Sequence, residues 1–475
     1  MDSCTEASKI RNNKQPDSAT VSLPVQRTFP PEILGIIFHY YMQGVRLRLN
    51  YREPVWVLTR VCHLWRGVAF DNWLLWTRID ASLSRIGSKS NALLPTPSET
   101  DRCLSILKRY LEYSRKAPLD IYVDLEHCDV CPVILRTLWE HRPRWQKAYV
   151  ADYGIDASQA CRDVRGQLGY GMPNLQYIQL LGAPDVLAHM CPAPALRTLV
   201  VGADFRGNLP NDNPVWSQIT CYSGPAFFNS HDRRSTFILA RMPNLEICDI
   251  TGVGRQLAYA VILAPRARCK FHRLQVLRLG RSQCDVYLPL IDAPRLRKLD
   301  CRQDTMGYSA VHSFLRQCGS SLSLLSVKYG VDDKRLYEII QQVPTLHTLI
   351  LHDEASRENE YACSGDIFAL LASNPKALSD LAVLKVERLR ERYNKPASDS
   401  FVVLVRSLAT LYPLRLQTAA LCVPSDDIEK VSHLLRDECT CIPSAVHIKA
   451  RDLSKNSLDE EDMGEVYSVF ADSRW

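Results

Sequence analysis

No stretch of this chain is apolar for anything near the ~20 residues that a membrane-spanning helix needs. The longest apolar run, around Leu257 to Ala264, is far too short. The opening residues, MDSCTEASKIRNNKQPDSAT, hold no apolar core of the kind a secretory signal requires. No N-x-S/T sequon occurs. The 17 cysteines are odd in number and scattered without a regular frame, so a disulfide scaffold is not expected. These absences favour a reducing compartment, cytoplasmic or nuclear, with thiols serving as small core residues. Neither sign of charge dominates. Lys and Arg total 58 against 52 Asp and Glu, a net +6 that is weak over 475 residues and points to no nucleic-acid partner. What remains, 46% hydrophobic and 23% charged, is an ordinary globular composition with room for a large core and more than one unit.

Catalytic signatures are lacking too. There is no G-x-x-x-x-G-K-[ST], no H-E-x-x-H and no G-x-S-x-G. Gly252 and Gly254 follow a strand pattern but lack the third glycine of a dinucleotide loop, and read as turn glycines. Cys128 and Cys131, beside His127, have metal-like spacing, with His141 as one further ligand. No second C-x-x-C completes a zinc site, so a pair of semi-buried thiols is expected instead. Cys439, Cys441, His433 and His447 are read the same way. The basic residues Arg266, Arg268, Lys270, His272 and Arg273 lack interleaved aromatics and read as a solvated loop. Arg388, Arg390, Arg392 and Lys395 alternate with Glu387 and Glu391, as on an exposed helix face. No cofactor and no metal is expected.

What is there begins at Thr28 to Ala81. Pro30 and Pro31 suit a helix start, and Glu32 in the first turn suits the helix dipole. Ile33, Leu34, Ile36, Ile37, Phe38, Tyr40 and Tyr41 then make the helix apolar around most of its circumference. Such a helix must be buried all round, which a unit of roughly 50 residues cannot do by itself. Either the rest of the chain or another protein covers the second face. A second helical pattern starts at Pro54 and runs through Val55, Leu58, Val61, Cys62, Trp65 and Val68, with Val57 and Leu64 adding width. Asp71-Asn72 interrupts it before Trp73, Leu74, Leu75 and Trp76.

Behind this stretch an L-x-x-L-x-L unit recurs. It appears as Leu175, Ile178, Leu180; Leu196, Leu199, Val201; Leu245, Cys248, Ile250; Leu274, Leu277, Leu279; Leu296, Leu299, Cys301; Leu322, Leu325, Val327; Leu346, Leu349, Leu351; and Leu381, Leu384, Val386. Weaker copies are Trp145, Ala148, Val150 and Trp216, Ile219, Cys221. The fourth and sixth residues lie two apart on one short strand and face one core, and the first enters from the preceding turn. A single unit cannot bury that face, so units must stack into a solenoid. The spacing lies in the leucine-rich-repeat range, with insertions. Helical stripes alternate with the strands: Val311, Phe314, Leu315, Cys318; Leu336, Ile339, Ile340, Val343; and Ile367, Leu370, Leu371. Ala183, Asp204, Ser282, Asp304 and Glu354 stand where many repeats have Asn or Cys. With no asparagine ladder, an irregular arc is expected.

The F-P-P-E-I-L run, the V-C-x-x-W of Val61, Cys62 and Trp65, and the Leu75-Trp76 pair resemble an F-box, closest to the F-box–leucine-rich-repeat proteins expanded in fungi. The chain has Phe29 where that family usually has Leu, and His63-Leu64 where it often has basic residues. The resemblance implies an α/β fold, an N-terminal helical F-box followed by an irregular leucine-rich-repeat solenoid. It implies the substrate-recognition subunit of an SCF-type ubiquitin ligase, a non-catalytic adaptor that binds Skp1 and through it cullin and RING subunits. Docking residues by this resemblance are Phe29, Pro31, Glu32, Ile33, Leu34, Ile37, Leu58, Val61, Cys62 and Trp65. Trp65 and Trp76 are expected to hold the unit together as well. Either Ile33→Glu or Leu34→Glu is expected to abolish docking and to leave the solenoid's thermal unfolding intact. Exposed strand positions such as Gln176, Tyr177, Gln179, Arg197, Thr198, Gln275 and Arg278 would meet an unidentified target. The expected organisation is a disordered 1–27, an F-box at 28–81, a linker and helix at 82–116, the solenoid at 117–450, and an acidic tail at 451–475. Two other classes stay open: a repeat scaffold unrelated to ubiquitin, and a hydrolase or transferase with an unrecognised site.

Overall fold

The computed structural model describes residues 29–82, 97–124, 131–151, 171–182, 193–202, 214–229, 235–251, 268–280, 284–301, 308–328, 333–352, 366–387, 395–412, 415–423 and 447–452. Among these the chain is mixed α/β, with ten α-helices and a 15-stranded sheet. Strand order in that sheet follows chain order, and its neighbours pair in parallel. A parallel pair needs a crossover, and the described helices and 3₁₀ turns lie in most of these connections.

The recurring apolar unit sets the register. Its fourth residues stack strand upon strand: Ile178 on Leu199, Leu199 on Tyr222, Tyr222 on Cys248, and onward through Leu277, Leu299, Leu325 and Leu349 to Leu384. All are buried. The first residue turns the chain into each strand. Its amide donates to the carbonyl three residues back, as from Leu175 to Met172, Leu245 to Met242 and Leu346 to Val343, each at 3.2 Å. Pro173, Pro243 and Pro344 come directly after those carbonyls, where a fixed φ suits the turn. The second residue's carbonyl then accepts twice from the next strand. Gln176 takes Arg197 and Thr198; Ser323 takes His347 and Thr348.

Polar side chains just before the first position tie neighbouring turns together. Asn174 donates to the Pro143 carbonyl, Asn244 to Ser217 (both 2.7 Å), and Thr345 to Leu322 at 3.0 Å. The positions at which an asparagine ladder was sought, Ala183, Asp204, Ser282, Asp304 and Glu354, lie outside the described residues.

Three expectations need correction. The Trp216 copy is out of frame by three residues: Ile219 is the first position, Tyr222 the fourth and Gly224 the sixth. Trp216 belongs to the 3₁₀ turn Pro214–Gln218, and its carbonyl accepts the Ile219 amide. In the helix Asp366–Ser373, Phe368 faces the core and Leu370 is only half-buried. The sheet also begins earlier than residue 117. Leu47–Arg48 and Arg78–Asp80 are its first two strands, pairing Leu47 with Ile79 and Ile79 with Ile121. The segment 28–81 therefore shares one sheet with the repeat strands.

Gly224 occupies an inward position where its neighbours carry Val201 and Ile250, at φ +154°. A Cβ there would meet the Tyr222 hydroxyl at 2.8 Å and the Val201 carbonyl at 2.9 Å. Gly224→Ala is expected to cost about 2 kcal/mol or more from strain and overpacking. A lowered urea midpoint at unchanged slope would report it, and an unchanged midpoint would refute it.

Cys62, Cys103, Cys221, Cys248, Cys269, Cys284, Cys301 and Cys318 are free thiols, and most of these are core residues. Burial pushes Cys248 far up, and Cys318 up to about 12. Cys301 is raised first by its hydrogen bond with Cys284 and then by burial. Thiols held so far from ionisation are inert.

Candidate functional site

Helix α1 (Pro31–Tyr41) begins with Pro31 at its first position and Glu32 in the first turn. Leu34, Phe38 and the adjoining Met42 recur every four residues and form its buried stripe. Phe38 meets the Trp65 ring edge-on at 5.0 Å. Helix α2 (Pro54–Val61) buries Val55, Trp56, Leu58 and Thr59. Cys62 is extended between helices, and its Sγ accepts the Trp65 amide to cap α3 (His63–Asp71). Asn72 donates to the Gly35 carbonyl at 3.4 Å and so pins the end of α3 to α1.

An aromatic cluster holds these helices to the sheet. Trp76 is fully buried, with its ring 5.1 Å from Trp56, 5.9 Å from Phe70 and 4.7 Å from Tyr113. Its Nε1 donates to the Ala69 carbonyl at 2.8 Å. Trp56 Nε1 donates to the Tyr110 hydroxyl at 3.0 Å, and that hydroxyl donates to the Arg48 carbonyl at 2.9 Å. Tyr110 and Tyr113 lie on α4 (Pro97–Tyr113), and Arg48 lies on the first strand. Burial raises the Tyr110 phenol well above its ordinary range, so it stays a neutral donor.

With one stripe of α1 so used, the side chains on its other side are exposed among the described residues. Ile33 is 42% exposed, Ile36 53%, Ile37 41% and Tyr40 69%. Phe29 and Tyr41 are exposed beside them, and on the neighbouring elements so are Val57, Val61, Trp73 and Leu74. Most of the exposed large apolar side chains among the described residues lie between 29 and 74. Such a concentration differs from the scattered single apolar residues of an ordinary surface.

Of the residues expected to dock, Phe29, Pro31, Glu32, Ile33, Ile37, Val61 and Cys62 are exposed. Trp65 is half-buried against Phe38. Leu34 at 2% exposure and Leu58 at 5% are core side chains and cannot meet a partner. Their helical phase puts them on the side that α1 and α2 turn inward. Ile36, Tyr40, Tyr41, Val57, Trp73 and Leu74 are exposed on the same or adjoining elements and were not among the expected residues. Counting 100° steps from the Leu34–Phe38–Met42 stripe would have placed Ile36 and Tyr40 opposite it.

On the sheet face away from the core, Gln176, Arg197 and Gln275 are exposed, Tyr177, Thr198 and Arg278 half-buried, and Gln179 buried. A polar chain crosses this face farther along. Ser326 donates to Asp300 Oδ1 at 2.8 Å and lies 2.8 Å from His352 Nε2. The serine has one hydrogen, so His352 Nε2 is the donor in that second bond. Serine stands between the acid and the histidine, is 1% exposed, and so lacks the order and access of a nucleophile. Among the described residues no three His, Cys, Asp or Glu side chains gather as a metal site. Residues 125–130, with His127 and Cys128, lie outside the described residues, as do Gly252, Gly254, Arg266, Arg388, Arg390, Arg392, His433, Cys439 and Cys441. Arg268 is described, and it donates to Gln317 at 2.7 Å. No described helix is long and apolar enough to cross a membrane.

No protein-family model matches this chain, and no curated protein matches it significantly.

Proposed function

We propose that the chain is an F-box protein with leucine-rich repeats, the substrate-recognition subunit of an SCF-type ubiquitin ligase. The single observation that carries this reading is the uncovered apolar side of α1, with Ile33, Ile36 and Ile37 outermost. Residues 29–82 are then the F-box and bind a Skp1-like adaptor, which brings cullin and RING subunits. The parallel strands with their stacked apolar units are the repeat solenoid, whose outward strand residues receive a target protein. This chain supplies proximity and orientation, and the ubiquitin chemistry belongs to other subunits.

The cost of leaving such a face wet supports the assignment. Each large apolar side chain returned to an interface gains about 1.5 to 3 kcal/mol. The rigid aromatic base at Trp56, Trp76 and Tyr110 fixes the helices beforehand, so little ordering has to be overcome on docking.

Co-expression with a Skp1 adaptor is expected to yield a stable complex on size exclusion. Amide exchange in α1 should slow by at least about tenfold in that complex, while exchange in strands 324–352 stays unchanged. A full chain that stays monomeric beside the adaptor, with α1 exchanging at its free rate, refutes the proposal.

A further inference from the structure

Among the described side chains, the outer face of the first strands carries more positive charge than its carboxylates neutralise. β1 (Leu47–Arg48), β2 (Arg78–Asp80), β3 (Leu119–Asp124), β4 (Trp145–Ala151) and β5 (Tyr177–Leu181) pair in register. One row across them is Arg48, Asp80, Tyr122, Tyr149 and Gln179; a second is Arg78, Asp120, Lys147 and Tyr177. Leu47, Ile79, Ile121, Ala148 and Ile178 are buried on the core side, so alternation turns both rows outward.

Arg46 completes the arrangement. Its guanidinium carbon lies 3.8 Å from the Tyr122 ring centroid and 5.5 Å from that of Tyr149. Tyr122 and Tyr149 stack at 4.0 Å with 8° between their planes, and Tyr149 meets Tyr177 at 5.0 Å. A guanidinium laid on a ring keeps its N–H fork in plane and pre-oriented for a carboxylate. Among the described residues neither Arg46 nor Arg48 forms an ion pair. Arg78 Nε stands 3.8 Å from Asp120 Oδ2 and makes no hydrogen bond, although the atom is buried. Asp80 Oδ1 is engaged by the Ser82 amide at 3.0 Å. Among the described side chains, four cations, Arg46, Arg48, Arg78 and Lys147, thus face two carboxylates: Asp80, held by the Ser82 amide, and Asp120, shared by Lys147 and Arg78.

We propose that this face binds an extended acidic segment of a protein, its carboxylates on Arg46, Arg48 and Lys147 and its stem along the half-buried Tyr149 and Tyr177. The inference rests on the reading of the outward strand face as the target-binding face, and it supplies the target's chemical class. Five strands about 4.8 Å apart span roughly 19 Å, the reach of about six extended residues. A single-stranded nucleic acid would need open ring faces for its bases. Tyr122 has none, because its ring is buried, at 4% exposure.

The test is fluorescence anisotropy of a labelled octaglutamate peptide titrated with the full chain at about 50 mM salt. Binding is expected to weaken several-fold at about 300 mM salt. It should weaken at least about tenfold in the Arg46→Ala/Arg48→Ala double variant and in Lys147→Glu. Arg46 and Arg48 are exposed, so thermal unfolding of the double variant should match the parent. Three results would overturn the proposal: no octaglutamate binding, equal binding of octaserine, or tighter binding of an oligothymidylate. No adaptor takes part, so loss of adaptor capture with peptide binding intact removes the F-box reading alone. Adaptor capture without peptide binding removes only this inference.

Discussion

Replacing Ile33 and Ile37 together by glutamate is expected to abolish capture of a Skp1-like adaptor and to leave thermal unfolding of the chain where it was. Both side chains stand on the uncovered side of α1, at 42% and 41% exposure. A charge at either place stays hydrated in the free chain and costs little. In a complex it must be desolvated against an apolar partner, and each lost anchor is worth about 2 kcal/mol or more. Two such losses predict affinity weaker by at least about 100-fold. Leu34→Glu is the informative contrast. Leu34 is 2% exposed and packs in the same core as Phe38 and Met42. Its replacement should also end capture, but by unfolding α1, and differential scanning calorimetry should register it. Capture and scanning on all three chains separate the two routes. Persistent capture by the Ile33/Ile37 variant sinks the docking assignment.

Trp76→Ala is expected to have the largest effect on stability, about 3 to 5 kcal/mol. The ring is fully buried and touches Trp56, Phe70, Tyr110 and Tyr113. Its removal also strips the Ala69 carbonyl of its 2.8 Å donor. Because Trp76 sits between α3 and the second strand, the damage should spread across 47–81 and 97–113 as one unit. Amide exchange should accelerate there together while strands 324–352 keep their protection. Trp76→Phe keeps most of the packing and loses only the hydrogen bond, so it should cost less than half as much. If exchange accelerates in the helices alone, the aromatic cluster does not join them to the sheet.

Much of the architecture was legible because the apolar period is short and repeated. Leu299, Leu325 and Leu349 take their strand from spacing alone, and the stacked register comes from identical units meeting side by side. The errors arose where that spacing was ambiguous or diluted. Trp216, Ile219 and Tyr222 lie three apart in series, so two frames fit equally, and the glycine in the sixth position hid the correct one. Leu416 and Ala419 continue the column, pairing Ala419 with Leu384, and this copy was not among those expected.

At the front of the chain the residue types alone determined that α1 has more apolar surface than one small unit can cover. Seven large apolar side chains in the eleven residues of one helix require two burial faces, whatever the rest of the fold does. Composition could not say which face is spent internally. That was decided in three dimensions, by Trp65 closing on Phe38 and by Asn72 reaching the Gly35 carbonyl. Those contacts fix the rotation of the helix about its axis, and a rotation is a property of packing that no local pattern contains. They turn Leu34 inward and leave Ile33, Ile36 and Ile37 to the solvent. The charged tyrosine face has the same origin. Arg46, Tyr122, Tyr149 and Tyr177 are far apart in the chain, and only parallel pairing in register sets them side by side.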